Sequence, residues 1–397
     1  MKSRLLLILL ALLTAVGVVL PVAAQAPTAN LTSECVTSYD DKTDYFPEKI
    51  TVDAASGFTV DYYNNYKIVT VKTPWQGAKA PLVYVLVQCG TTPPVAKDAA
   101  AIITVPVKSI VSLSTSFLPH LTSQNLLDKV VAVDSALYTN NQAIISGVKD
   151  GKIIEVGGGG GGTDINVEKL IDLKPELVLS QRFSDDDKAY PAMRQAGLPV
   201  VIDADFLDQT PLGVAEWGKF ISVFFNTESI AQKTFTDVND RYEKVATLAK
   251  SATTQPTVFT NTPYSGTWYM PGGQSYVATL LRDAGAKYLW ADDTTAGSIS
   301  LSLEEVLDKA ADADYWVNVF PTSQTDVLAG DERLNQFAAF KSGQIYTNNA
   351  RMNANGGSDF YEGGYANPDV ILSDLVKIFH PDLLPDYKLY FYAPLTK

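Results

Sequence analysis

One pattern occurs twice along this chain and limits the folds open to it. Residues 167–180 (VEKLIDLKPELVLS) read as a short amphipathic helix, a turn and a buried strand. Residues 303–310 followed by 314–319 read the same way. Each unit opens with Ser, Asn or Asp upstream, suited to cap the helix, and carries a glutamate in its first turn. These are Glu168 and Glu304, placed where the positive end of a helix favours negative charge. A repeated α/β unit predicts two similar lobes, and a ligand cleft between lobes is the natural use of that design.

The bulk numbers permit this. With 397 residues, 46% hydrophobic and 19% charged, the chain is long and apolar enough for two cored domains. A net charge of −13 argues against nucleic acid as a partner, because phosphate binding needs a basic face.

Residues 1–26 read as a secretion signal. Lys2 and Arg4 form the basic start, residues 5–13 an unbroken apolar run, and Ala23, Ala24 and Ala26 offer small residues for cleavage. The run is short of the ~20 apolar residues of a membrane span. No cysteine follows in a Leu-x-x-Cys box, so the mature protein is expected to be exported and soluble, on the periplasmic or extracellular face of the cell membrane, with a retained anchor as the lesser alternative. In an exported chain the two cysteines, Cys35 and Cys89, predict a disulfide closing a long loop.

Four segments follow the signal. Residues 27–106 form a β-rich extension with strands at 58–62, 67–71 and 82–87, expected as an antiparallel meander. Residues 107–210 alternate strand and helix, as an N-terminal α/β lobe with a mostly parallel sheet does. Residues 211–250 place Leu212, Trp217, Phe220, Phe224, Val238 and Tyr242 at helical spacing. They predict one long helix, bent near Asn226, spanning about 50 Å as a stiff strut. Residues 251–397 form a C-terminal α/β lobe. The expected fold class is therefore α/β: two Rossmann-like lobes with central, mostly parallel sheets, one long rigid connecting helix, and an N-terminal β-rich extension.

The chemistry is sparse. Gly157 to Gly162 resemble a phosphate loop but lack the Gly-Lys-Ser/Thr ending, so they read as a flexible loop near a cleft mouth. His120 and His380 have no acidic or cysteine neighbour at metal-ligand spacing, and no Gly-x-Ser-x-Gly elbow occurs. No catalytic residue, metal site or cofactor is expected. Two loops look like binding surfaces. One carries Tyr264, Trp268 and Tyr269, either for ligand packing or as a satellite core. The other carries Arg351, with Arg182 at the matching place in the first lobe. Together these arginines form a clamp for an anionic group, or each sits in a surface ion pair.

Over residues 105–385 the chain resembles the periplasmic substrate-binding proteins of ABC importers for iron–siderophore complexes and cobalamin. The residues that carry this are Asn166 to Val178, the loop from Trp268 to Gly273, Leu281 to Ala286, Asn367 to Val370 and His380-Pro381. The resemblance implies a non-catalytic receptor, expected to be monomeric, with its ligand between two lobes joined by one rigid helix. It also implies that Glu168 and Glu304, at the lobe tips, dock onto permease subunits of the importer; the alternative is that both merely favour their helix ends. The expected cargo is a ferric siderophore or similar metal chelate, with cobalamin or haem as the near alternative. A secreted two-lobed enzyme is the rival from another class. The β-rich segment 36–95 lies outside the shared region.

Overall fold

The computed structural model describes residues 26–159 and 164–397. The expected secretion signal, except Ala26, and part of the glycine run lie outside the described residues.

The N-terminal extension forms a four-stranded sheet from β1 (Phe58–Tyr62), β2 (Tyr66–Val71), β3 (Leu82–Gln88) and β4 (Ala101–Val105), in the order β1-β2-β3-β4. The first three pair antiparallel, as the meander predicts. β4 adds parallel to β3, which the alternation in 58–87 does not reveal. Cys35 and Cys89 form the expected disulfide, with their Cα atoms 4.9 Å apart. The sheet shares one hydrophobic core with the first lobe: Phe58, Val69 and Tyr84 join Phe117, Trp217 and Phe220 in a single buried cluster.

The first lobe is built on β5 (Ile110–Ser112), β6 (Val130–Val133), β7 (Ile154–Glu155), β8 (Leu177–Ser180) and β9 (Val200–Ile202). Their order is β7-β6-β5-β8-β9, with every pair parallel. β8 and β9 are buried at every residue, which is why both read as unbroken apolar runs.

The second lobe contains β10 (Thr257–Thr260), β11 (Trp268–Pro271), β12 (Lys287–Tyr288), β13 (Ser298–Leu301), β14 (Tyr315–Val319), β15 (Ile345–Thr347) and β16 (Ala393–Pro394). Its sheet runs β12-β10-β14-β15-β16, parallel except for the antiparallel edge strand β16. β11 and β13 form a separate antiparallel pair. The sequence repeat is a structural repeat: helix Val167–Leu173 leads into β8 and helix Leu303–Ala310 into β14. Asn166 caps the first by accepting from the Lys169 N–H, and Ser302 and Glu305 make a reciprocal capping box at the second.

The stretch expected as one helix over 211–250 is two helices, Pro211–Ser222 and Glu228–Ala249. Asn226 breaks it, with a left-handed backbone at φ 58°. Its side-chain amide donates to the Leu31 carbonyl and to Gln88, and its carbonyl oxygen accepts from Lys67, all in the N-terminal extension. The first helix is buried along nearly its whole length, with Trp217, Phe220 and Ile221 in the core of the first lobe. The second, 22 residues and about 33 Å long, makes the connection between lobes. It is fixed to the second lobe by an ion pair from Arg241 to Asp369 at 2.5 Å and by the Tyr242 hydroxyl donating to Asp283 at 2.8 Å.

Candidate functional site

Parallel α/β sheets bind ligands beyond the carboxyl ends of their strands, where the strand order reverses. In the first lobe that point lies between β5 and β8, in the second between β10 and β14. A cleft of 440 Å³ opens beyond the second-lobe switch point and is closed on the first-lobe side by the segment that follows β9. Phe206 to Gln209 contribute from the first lobe; Asn261, Tyr276, Asn318, Phe360, Tyr361 and Tyr365 come from the second. Gln76 reaches in from the N-terminal extension. A smaller pocket of 110 Å³ lies at the ends of β5 and β6, bounded by Ser112 to Thr115, Asp134, Tyr138 and Gly159.

Beneath the first-lobe wall, Gln181 donates to Asp205 at 2.7 Å. Burial pushes the Asp205 carboxyl up to about 6, against the opposing effect of that bond. Asp203, equally buried and next to Asp205, is raised well above the usual carboxylate range. On the opposite wall Tyr276 stands 5.4 Å from Tyr365, ring to ring, and Tyr365 stands 5.8 Å from Tyr361. Burial raises the pKa of all three hydroxyls, so they are neutral at ordinary pH.

The lobes also touch. A second-lobe loop crosses to residues 137–140: Asn353 donates to the carbonyls of Leu137 and Thr139, and Asn355 to that of Leu137. The buried carboxylate of Glu362 accepts from the Thr139 hydroxyl at 2.7 Å and the Asn140 N–H at 2.6 Å. Gly357 makes this approach possible, since a Cβ there would sit 2.1 Å from the Tyr138 carbonyl oxygen.

The residues expected from sequence fall in different places. Trp268 is not a ligand contact. It lies on β11, fully buried, with its indole N–H donating to the Thr260 carbonyl and its ring among Phe259, Trp316 and Phe337. The satellite-core alternative holds for it, because alternation along a strand turns Trp268 inward and Tyr269 outward. Tyr264 and Tyr269 are exposed but are not among the described residues lining the cleft. Arg182 is buried beneath Trp75, its guanidinium 3.8 Å from the ring centroid, and donates to the Asp185 carbonyl. Arg351 pairs with Asp359 at 2.8 Å and covers Tyr390. The two arginines are each held within their own neighbourhood, and neither is among the described residues lining the cleft.

Glu168 and Glu304 occupy equivalent first turns, both exposed. Glu304 is paired with Arg333 at 2.6 Å, and its own backbone N–H and then Arg333 hold its carboxyl below the usual range. Glu168 has no ion pair among the described residues. His120 lies buried against Gly218, and burial pushes it down to about 4. His380 closes helix Pro368–Phe379, its N–H donating to the Val376 carbonyl. Among the described residues no group of three His, Cys, Asp or Glu side chains is placed to hold a metal ion.

Sequence reasoning missed the tyrosine row and Gln76; it singled out the loop 350–361 as a binding surface but not its contact with the first lobe. Tyr361 ends that loop, and spacing alone does not tell its ring from Phe360 beside it.

Comparison with known proteins agrees with this architecture. Residues 110–352 match the periplasmic binding protein family. An uncharacterized lipoprotein of Methanocaldococcus jannaschii is 26% identical over 305 residues, 74% of this chain and 70% of its own length. The uncharacterized ABC transporter substrate-binding lipoprotein YvrC of Bacillus subtilis is 25% identical over 279 residues, 69% of this chain and 81% of its own. Among solved structures, a possible iron-binding periplasmic solute-binding protein from Staphylococcus epidermidis superposes with a TM-score of 0.54 at 20% identity, covering 69% of this chain and 99% of its own. The haem-binding protein RhuT from Roseiflexus gives 0.54 at 20%, covering 70% and 99%. These likenesses establish the fold, and the family match sets aside the rival of a secreted enzyme.

Proposed function

This chain belongs to the periplasmic binding protein family, a family of solute receptors rather than enzymes, and we propose that it captures a metal chelate between its lobes and delivers it to an ATP-driven importer. The observation that carries this reading is the cleft itself. It is lined from both lobes, with Asn261 and Asn318 at the switch point of the second sheet, and the lobes are joined by one helix too stiff to hinge widely. A ferric siderophore is the proposed cargo. The tyrosine row, which suits flat macrocycles equally well, favours cobalamin or haem as the second reading.

The partners proposed are the importer's permease subunits, engaged through Glu168 and Glu304. The proposed location is the outer face of the cell membrane, in keeping with relatives named as lipoproteins. In this chain both cysteines are joined to each other, which leaves neither thiol for a lipid. The test is uptake: vesicles bearing the cognate permease and ATPase should accumulate a radiolabelled chelate only when the purified protein is added with ATP. Chemical conversion of the chelate by the protein alone would defeat the reading.

A further inference from the structure

We infer that the cleft selects an uncharged or cationic chelate and rejects anionic ones, with the Tyr276 hydroxyl as its fixed polar contact. This rests on the receptor reading above and goes beyond it by naming the charge class of the cargo.

The charge inventory of the walls carries the first half. Among the described residues lining the cleft there is no lysine, arginine or histidine, whereas Asp208 lines it. The arginines that a sequence reading would aim at an anion do not line the cleft, and the one buried Arg182 atom without a hydrogen-bond partner, Nε, lies 3.8 Å from Asp187. Arg182 is only 7% exposed and sandwiched by Trp75 and Tyr190, with Asp185 and Asp187 beside it. Arg351 is held by Asp359. Releasing either would strand a carboxylate that now has a cationic neighbour. An anionic cargo would therefore enter a cleft whose one charged lining residue among those described is a carboxylate, in a protein of net charge −13. A cationic or neutral cargo meets no such barrier, and the faces of the tyrosine row are attractive to positive charge.

The second half comes from an unsatisfied atom. The Tyr276 hydroxyl is buried and has no hydrogen-bond partner, although its side chain lines the cleft. A buried hydroxyl without a partner is costly, and a ligand acceptor reaching it would remove that cost. The hydroxyl stays protonated because burial holds its pKa well above the usual phenol range, so it is available as a donor.

The experiment is calorimetric titration of the purified protein with four probes: a cationic ferric trihydroxamate, uncharged cyanocobalamin, a ferric tris-catecholate trianion, and haem with its two propionates. The expected result is that a cationic or uncharged probe binds roughly tenfold or more tighter than either anionic one. Placing lysines at the exposed rim, Gln76→Lys with Gln209→Lys, should narrow that gap by roughly tenfold. Tyr276→Phe should weaken the bound probe by about threefold to tenfold, while the thermal midpoint of the free protein does not fall. Tighter binding of an anionic probe to the native protein, or a ranking unmoved by the double lysine variant, overturns the charge assignment. Unchanged affinity in Tyr276→Phe overturns the contact. Binding of none of the four removes the receptor reading for metal chelates and this inference with it, which is a different result from binding in the wrong order.

Discussion

Lys67 and Glu228 form an ion pair at 2.5 Å in which neither side chain has any solvent exposure. Lys67 comes from the middle of the N-terminal sheet, and Glu228 opens the helix that joins the lobes. The Lys67 ammonium also donates to the Val223 carbonyl and to Asn226, the residues of the break between the two helices. Glu228 accepts in addition from Asn30. The extension is thus bolted to the root of the connecting helix, which gives the segment outside the family match a structural task. Lys67→Met leaves the Glu228 charge buried without its cation and should cost about 3–5 kcal/mol of stability. Adding Glu228→Gln should recover part of that loss. Urea unfolding of the single and double variants measures both; a single variant within experimental error of the native protein would contradict the role assigned to the pair.

The docking proposal makes a separable prediction. Glu168→Ala with Glu304→Ala should abolish uptake in vesicles and leave chelate affinity unchanged, since neither residue lines the cleft. The two glutamates should not contribute equally. Glu304 is already paired with Arg333, so an incoming permease arginine must compete with it. Because an exposed pair of this kind is worth only about 0–1 kcal/mol, Arg333→Ala should tighten the complex with the permease by no more than a few fold. Loss of chelate affinity in the double variant would mean the glutamates serve the cleft and not the permease.

Asp205 predicts a pH effect. Its carboxyl is raised from 3.8 to about 6, chiefly by burial, with Gln181, Ser116 and the Phe206 N–H favouring the charged form and Asp208 opposing it. The folded pKa lies above the unfolded one, so the contribution to stability is present at low pH and is lost as pH rises from ~4 through ~6. Asp205→Asn keeps an acceptor for Gln181 and cannot ionise. The thermal midpoint of the variant relative to the native protein should therefore rise across that window. A constant difference between the two would show that Asp205 does not titrate there. Asp203 is raised in part by the Asp205 charge, so it is less raised in the variant and adds to the same rise.

The lobes, their sheets and the repeated helix–strand unit were legible because they rest on local patterns. Buried strands are apolar runs, and Asn166 and Ser302 announce their helices from one residue away. The break at Asn226 was legible only as a bend, because its cause is distant: Leu31, Gln88 and Lys67 lie 195, 138 and 159 residues away. Trp268 illustrates a second limit. Glycine and proline nearby make the segment look like a loop, yet pairing of Trp268 with Leu301 turns it into a strand and its indole into core. Arg182 and Arg351 illustrate a third. A sequence shows that a cation exists, but not that Trp75, 107 positions earlier, covers one of them. The cleft chemistry depended on these long-range partners, so its walls emerged only from the fold.

The contact between lobes yields the last prediction. Gly357 passes so close to residue 138 that any side chain would collide with the Tyr138 carbonyl, and the colliding atom is backbone, which cannot swing aside. Gly357→Ala must therefore push the second-lobe loop away from residues 137–140. That displaces Asn353 and Asn355 from the carbonyls they reach and draws Glu362 from Thr139 and Asn140. The sheets of both lobes and the helix Glu228–Ala249 make none of these bonds and should be unaffected. Hydrogen exchange should accelerate at Asn140, whose N–H is given to Glu362, while β8 and β14 keep their protection. With one end of the cleft freed, the dissociation rate of the bound chelate should increase more than its association rate. Unaltered exchange at Asn140 would mean the loop tolerates the methyl group and the contact between the lobes persists.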